Sequence, residues 1–209
     1  MLLQKNDVVL FQGDSITDCG RNRDNLYDLG VGYPLVISSL LYSKLADLNL
    51  KFINKGISGN RVYDLRNRWQ QDCLDLKPTV VSILIGINDT WRRYDSNVES
   101  PIKDFTECYR SLLTDVKEKL GARIIIMEPF LIPNAPEKKV WREDLDPRIQ
   151  AVRELAIEFD ATFVPLDGPF TAAYIKNKGN YLSGDGVHPS YAGHGLIARE
   201  WCKAVGVTL

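Results

Sequence analysis

Ser15 stands just beyond a compact apolar run, Val8-Val9-Leu10-Phe11, in the segment Gly13-Asp14-Ser15-Ile16-Thr17. A serine where a strand gives way to a turn can project its hydroxyl into a crevice rather than a core. Taken alone, such a serine bonds its neighbouring backbone. It becomes a nucleophile at neutral pH only when a base takes its proton as it attacks. Histidine suits that task, and the chain has two, His188 and His194. His188 follows Asp185 in Asp185-Gly186-Val187-His188-Pro189, where a carboxylate can fold back onto one ring nitrogen. Pro189 biases His188 away from helical geometry. His194 lies between Gly193 and Gly195 inside a helical pattern and has no such neighbour. The pattern selects His188 as base and Asp185 as the group that orients it.

Attack on an ester carbonyl creates an oxyanion, which needs hydrogen-bond donors already in place. Ser15 offers its own backbone N–H. Gly59, in Gly56-Ile57-Ser58-Gly59-Asn60, offers a second, and a glycine allows substrate close to the main chain. Asn88, in Gly86-Ile87-Asn88-Asp89, offers a side-chain N–H. Either residue alone reads as a plain turn or cap. Their placement at successive strand ends favours the joint reading. Asp14 is read as a brace for the turn that holds Ser15.

The elements that must position these groups alternate along the chain. Val8–Phe11, Leu50–Ile53, Val80–Ile85, Ile124–Met127 and Thr162–Val164 are short apolar runs bounded by turn residues, as buried parallel strands are. Helical spacing lies between them. Ile102, Phe105, Tyr109, Leu112, Leu113, Val116 and Leu120 share one face, with Gly121 as C-cap. Ile149, Val152, Leu155, Ala156 and Phe159 form a second face, with Pro147 near the start of its helix. The last helix runs from a Ser190 N-cap to about Val205. Repeated alternation of this kind predicts an α/β fold, a parallel sheet with helices on both faces. Ligands bind beyond the carboxyl ends of such strands, where Ser15, Gly59 and Asn88 fall. Residues 129–146 hold three prolines and read as a long loop, a type of segment that often covers a site. With no repeat or linker, residues 1–209 are expected to form a single domain.

Composition excludes several functions. The 26 basic and 27 acidic residues give a formal net charge of −1, so no global attraction to nucleic acid or an anionic membrane is expected. Cys19, Cys73, Cys108 and Cys202 are scattered without a C-x-x-C pair, which argues against a zinc site and for a reducing compartment. No signal peptide or membrane span is read, and a cytoplasmic location is expected.

Together, Gly13-Asp14-Ser15, the Gly59 segment, Gly86-Ile87-Asn88-Asp89 and Asp185-Gly186-Val187-His188-Pro189 resemble the four blocks of the SGNH (GDSL) hydrolase superfamily, in its order and spacing. The resemblance spans nearly the whole chain. It implies a flavodoxin-like three-layer α/β/α sandwich on a five-stranded parallel sheet. It also implies a Ser15, Asp185, His188 triad and an oxyanion hole from Ser15, Gly59 and Asn88, with no metal or organic cofactor. The G-x-S-x-G elbow of α/β-hydrolases is absent.

Residues 13–21, 54–60 and 86–92, with Trp91-Arg92-Arg93-Tyr94-Asp95, further resemble the intracellular acetyl-xylan esterase branch. That resemblance implies an acetylated carbohydrate substrate. Trp91 then walls a small acyl pocket or packs on a sugar ring, or else caps the core. Arg92 and Tyr94 contact sugar hydroxyls or lie on the surface. Relatives in this branch imply a homo-oligomer. The competing readings are a thioesterase or lysophospholipase, a non-catalytic carbohydrate-binding module, and a nucleotide-binding flavodoxin-like protein. Acidic Asp14 and Asp18 in the first loop disfavour phosphate.

Overall fold

The computed structural model describes residues 1–208. Five parallel strands, β1 (Val8–Gly13), β2 (Lys51–Asn54), β3 (Val80–Leu84), β4 (Arg123–Met127) and β5 (Thr162–Val164), pair in the order β2-β1-β3-β4-β5. Among the described residues they are connected through eight α-helices: α1 (Ser15–Asp18), α2 (Tyr33–Lys44), α3 (Val62–Asp72), α4 (Ile87–Asp95), α5 (Ile102–Asp115), α6 (Arg142–Glu158), α7 (Asp167–Asn177) and α8 (Tyr191–Ala204). The order reverses between β1 and β3, and a crevice opens at such a switch point. The expected α/β class and five-stranded parallel sheet are what the chain forms.

Strand residues alternate between two cores. Val9 and Phe11 face Tyr33, Ile37 and Trp201 of α2 and α8, whereas Leu10 faces Trp69 and Tyr109 of α3 and α5. Burying both faces explains why the strands read as continuous apolar runs. Ser82, the polar exception in β3, accepts a hydrogen bond from Trp201 Nε1 at 3.0 Å.

Three local readings change. Ser15 is not in a bare strand-to-loop turn: it opens α1, and Asp14 is its N-cap. Pro147 lies well inside α6 rather than near its start. Its missing N–H breaks one helical bond, yet the preceding turn is held from outside. Thr90 Oγ1 of α4 donates to Asp144 at 2.8 Å, and Arg142 pairs with Asp167 at 2.7 Å. The loop expected over 129–146 is mostly ordered structure, a 3₁₀ segment Pro136–Trp141 running straight into α6. α5 continues as a π-turn over Val116–Leu120 and ends at Gly121 in the left-handed region, where the C-cap was expected.

Candidate active site

Ser15 and His188, separated by 173 positions, meet beyond the strand ends, with Oγ and Nε2 3.0 Å apart. His188 Nδ1 lies 2.7 Å from Asp185 Oδ2. The carboxylate can only accept, so Nδ1 carries the proton and Nε2 is left free to accept from Ser15. Asp185 Oδ1 takes three further bonds, from Val187 N at 2.9 Å, His188 N at 2.8 Å and Ser183 Oγ at 3.1 Å. These fold the loop into the geometry that the Asp185–His188 spacing allows. Partial burial opposes the charge on Asp185, but the bond from His188 and the two backbone N–H groups outweigh it and hold the carboxyl well below its usual range. The Asp185 bond in turn raises the His188 pKa above its ordinary 6.5, against the opposing effect of burial.

His194 serves a different purpose. It is buried on α8, where Nδ1 accepts from Tyr33 N at 3.1 Å and Nε2 lies 3.4 Å from Cys19 Sγ. Burial lowers its pKa to about 4, and both ring nitrogens are engaged away from Ser15.

Each of the three expected donors keeps an N–H unspent on the protein. No hydrogen bond from Ser15 N or Gly59 N is formed among the described residues. Asn88 Nδ2 donates one hydrogen to Asn60 O at 3.1 Å and retains the other. Gly59 has φ +83°, a conformation that strains other residues, and only Arg92 Nη2 lies near the place of a Cβ, at 3.9 Å.

Several side chains set these donors in place without any sequence pattern marking them. Arg68 of α3 donates to Asn60 Oδ1 at 2.8 Å, to Asp72 Oδ2 at 3.1 Å and to Gly13 O at 3.4 Å, tying the first two loops together. Asp18 Oδ2 accepts from Ser58 N at 3.0 Å. Beside Asn88, Asp89 is buried and accepts from Val62 N and Ser100 Oγ. Its carboxyl is pushed up to about 7 by burial, despite nearby Arg148. In sequence Arg68 resembles Arg66 on the same helix. Only the packed structure separates them.

Of the expected substrate-contacting residues, Trp91 is half-buried with its ring 5.7 Å from that of His188 and 5.3 Å from Trp141. Arg92 pairs with Asp95 and borders Gly59. The Tyr94 hydroxyl donates to Val140 O at 2.9 Å, and its ring stacks on Trp141. No group of three or more His, Cys, Asp or Glu able to hold a metal occurs among the described residues.

Asp14 is fully buried. Oδ1 accepts from Ile16 N at 3.0 Å, and Oδ2 has no partner among the described residues. Burial pushes its carboxyl from 3.8 up to about 7. The stabilisation that follows from this shift is complete below 3.8 and is lost as pH rises through about 7. Asp14→Asn removes that ionisation. Tm of the parent is therefore expected to fall more than that of Asp14→Asn between about pH 5 and pH 8. Parallel melting curves would refute the assignment.

Residues 11–196 match the model of the GDSL-like lipase/acylhydrolase family. The chain is 37% identical to an acetylxylan esterase of Geobacillus stearothermophilus, covering 99% of this chain and 97% of that one. A solved structure of an acetylxylan esterase from the same organism superposes with a TM-score of 0.92 at 36% identity, covering 100% of this chain and 98% of the other. A protein of Parabacteroides merdae classed with GDSL-like lipases gives 0.94 at 40% identity, over 99% and 98%. With the fold, the strand-end blocks and these matches in agreement, the chain belongs to the GDSL-like lipase/acylhydrolase family.

Proposed function

We propose that this chain is a serine esterase that removes acetyl groups from acetylated sugars, xylo-oligosaccharides foremost, through an acetyl-serine intermediate. Family membership makes it a carboxylic-ester hydrolase. The observation that carries the mechanism is the continuous Ser15–His188–Asp185 chain, 3.0 and 2.7 Å per link. The likeness to acetylxylan esterases along the whole length supports the substrate.

In this reading His188 Nε2 takes the Ser15 proton as Oγ attacks the acetyl carbon. The carbonyl electron pair moves onto oxygen, which is held by Ser15 N–H, Gly59 N–H and Asn88. Collapse expels the sugar alcohol, protonated by His188. Water then gives its proton to the same nitrogen and attacks the acetyl-serine, releasing acetate and restoring the hydroxyl. Asp185 stabilises the imidazolium formed in each half.

Trp91 is assigned to the wall of the acyl site, since its ring already packs against His188 and Trp141. Tyr94 supports that wall through Trp141, its hydroxyl being engaged by Val140. Arg92, beside Gly59, is the residue assigned to a sugar hydroxyl. A cytoplasmic location and self-association belong to the same reading, the first supported by four free thiols. No helix among the described residues is long and apolar enough to cross a membrane.

The chain-length preference tests the substrate class. p-Nitrophenyl acetate is expected to be cleaved with kcat/KM at least ~10-fold above the octanoate, a gap of about 1.4 kcal/mol. Acetate should also be released from acetylated xylo-oligosaccharides. Equal or faster turnover of the octanoate would favour a lipase or thioesterase.

A further inference from the structure

The segment after β4 docks on the loop that carries Asp185. Ile132 N donates to Gly186 O at 2.8 Å, and Asn134 Nδ2 donates to Ser183 O at 2.6 Å. Lys138 Nζ donates to Asp185 O at 2.7 Å. Three carbonyls of one short loop are thus held by one strap. Contact is close enough that a Cβ on Gly186, which has φ +83°, would meet Ile132 O at 3.0 Å. The Lys138 ammonium also lies over two indole faces, 4.7 Å from the Trp91 centroid and 5.1 Å from that of Trp141. Both distances fall within cation–π range. One half-buried side chain therefore touches the base's support from two directions, through the Asp185 main chain and through the Trp91 ring beside His188.

We propose that Lys138 is a positioning residue of the esterase site, its ammonium locking the strap to the Asp185 loop and to the Trp91–Trp141 wall while setting a positive charge beside the base. The proposal rests on the assignment of His188 as that base. The adjacent Lys139 is exposed and makes no such contacts.

Three charged groups face His188 from the elements around it. Asp185 on its own loop favours the imidazolium, as does Asp14 after β1 once it ionises above about pH 7, and Lys138 on the strap opposes it. Lys138 is thus the cation that limits how far the acids raise the base's pKa. Removing it should make His188 harder to deprotonate, so activity is lost sooner as pH falls. A lysine that only braced the strap would leave the shape of the pH profile unchanged.

The test compares Lys138→Met, which keeps the stem over the indoles but removes the charge, with Lys138→Arg, which keeps the charge. kcat and kcat/KM for p-nitrophenyl acetate are measured from about pH 5 to pH 9, with thermal melts on the same samples. For Lys138→Met, the ratio of kcat/KM at about pH 8.5 to that at about pH 5.5 should grow roughly threefold over the parent, the size expected for one partly screened charge. Lys138→Arg should restore the parent ratio, even if its overall rate is lower. An unchanged ratio in folded Lys138→Met overturns the proposal, as does a profile that Arg fails to restore. Should Lys138→Met not fold, Lys138→Arg and Lys138→Gln read the same ratio, and equal profiles for these two also overturn it. A parent enzyme whose acid limb survives His188→Ala would instead refute the assignment of the base.

Discussion

Ser15→Ala is expected to lower kcat for acetyl ester cleavage by about 10⁴-fold or more, as for nucleophile loss in triad enzymes. The protein should still fold. Ser15 Oγ forms one bond, to half-exposed His188, so its removal opens that nitrogen to water and leaves no buried partner stranded. The N-cap of α1 is made by Asp14, not by Ser15, and survives the change. Stability is expected to stay within about 1 kcal/mol of the parent, the range of partly exposed substitutions. Acetate release and a thermal melt on one preparation check both halves. Turnover within tenfold of the parent would remove the serine mechanism.

The two histidines should fail in opposite ways. His188→Ala takes away the acceptor for the Ser15 proton, and activity should fall by about 10⁴-fold or more with little loss of stability. His194→Ala removes the acceptor for Tyr33 N and opens space in the core between α2 and α8. An orphaned buried donor costs about 1–3 kcal/mol, so Tm should drop while kcat of the folded fraction stays within severalfold. Paired measurements of kcat and Tm decide the matter. A reversed ranking would show that the base had been misassigned.

The sequence exposes the parts of this molecule whose physics is local. Val80–Leu84 reads as a strand because both its faces are buried and nothing polar but Ser82 interrupts it. Gly121 and Ser190 read as helix ends because caps are set by the residues themselves. The Asp185–His188 pairing reads because both lie in one tight loop. The remainder depends on distant partners. Pro147 is a sound marker of a helix start until Arg142 and Asp144 find Asp167 and Thr90, which hold a turn ahead of it. Nothing in the sequence separates Lys138 from Lys139, because the difference is made by the Trp91 indole some 50 positions earlier and the Asp185 carbonyl some 50 positions later. Arg68 is equally silent, its value lying in Gly13 and Asn60.

The span between the proposed nucleophile and base has a consequence for synthesis. Ser15 emerges from the ribosome long before His188, 173 positions later, and until they meet the serine is an ordinary alcohol. Its donors end at Asn88, but the base and its orienter come only at residues 185–188, so partial folding cannot assemble the site in advance. Contacts of such separation also form late and slowly. The nascent chain is therefore chemically silent, and esterase activity should appear in step with docking of α8 against α2. Turnover thereby reports completed folding in refolding experiments, without an added probe.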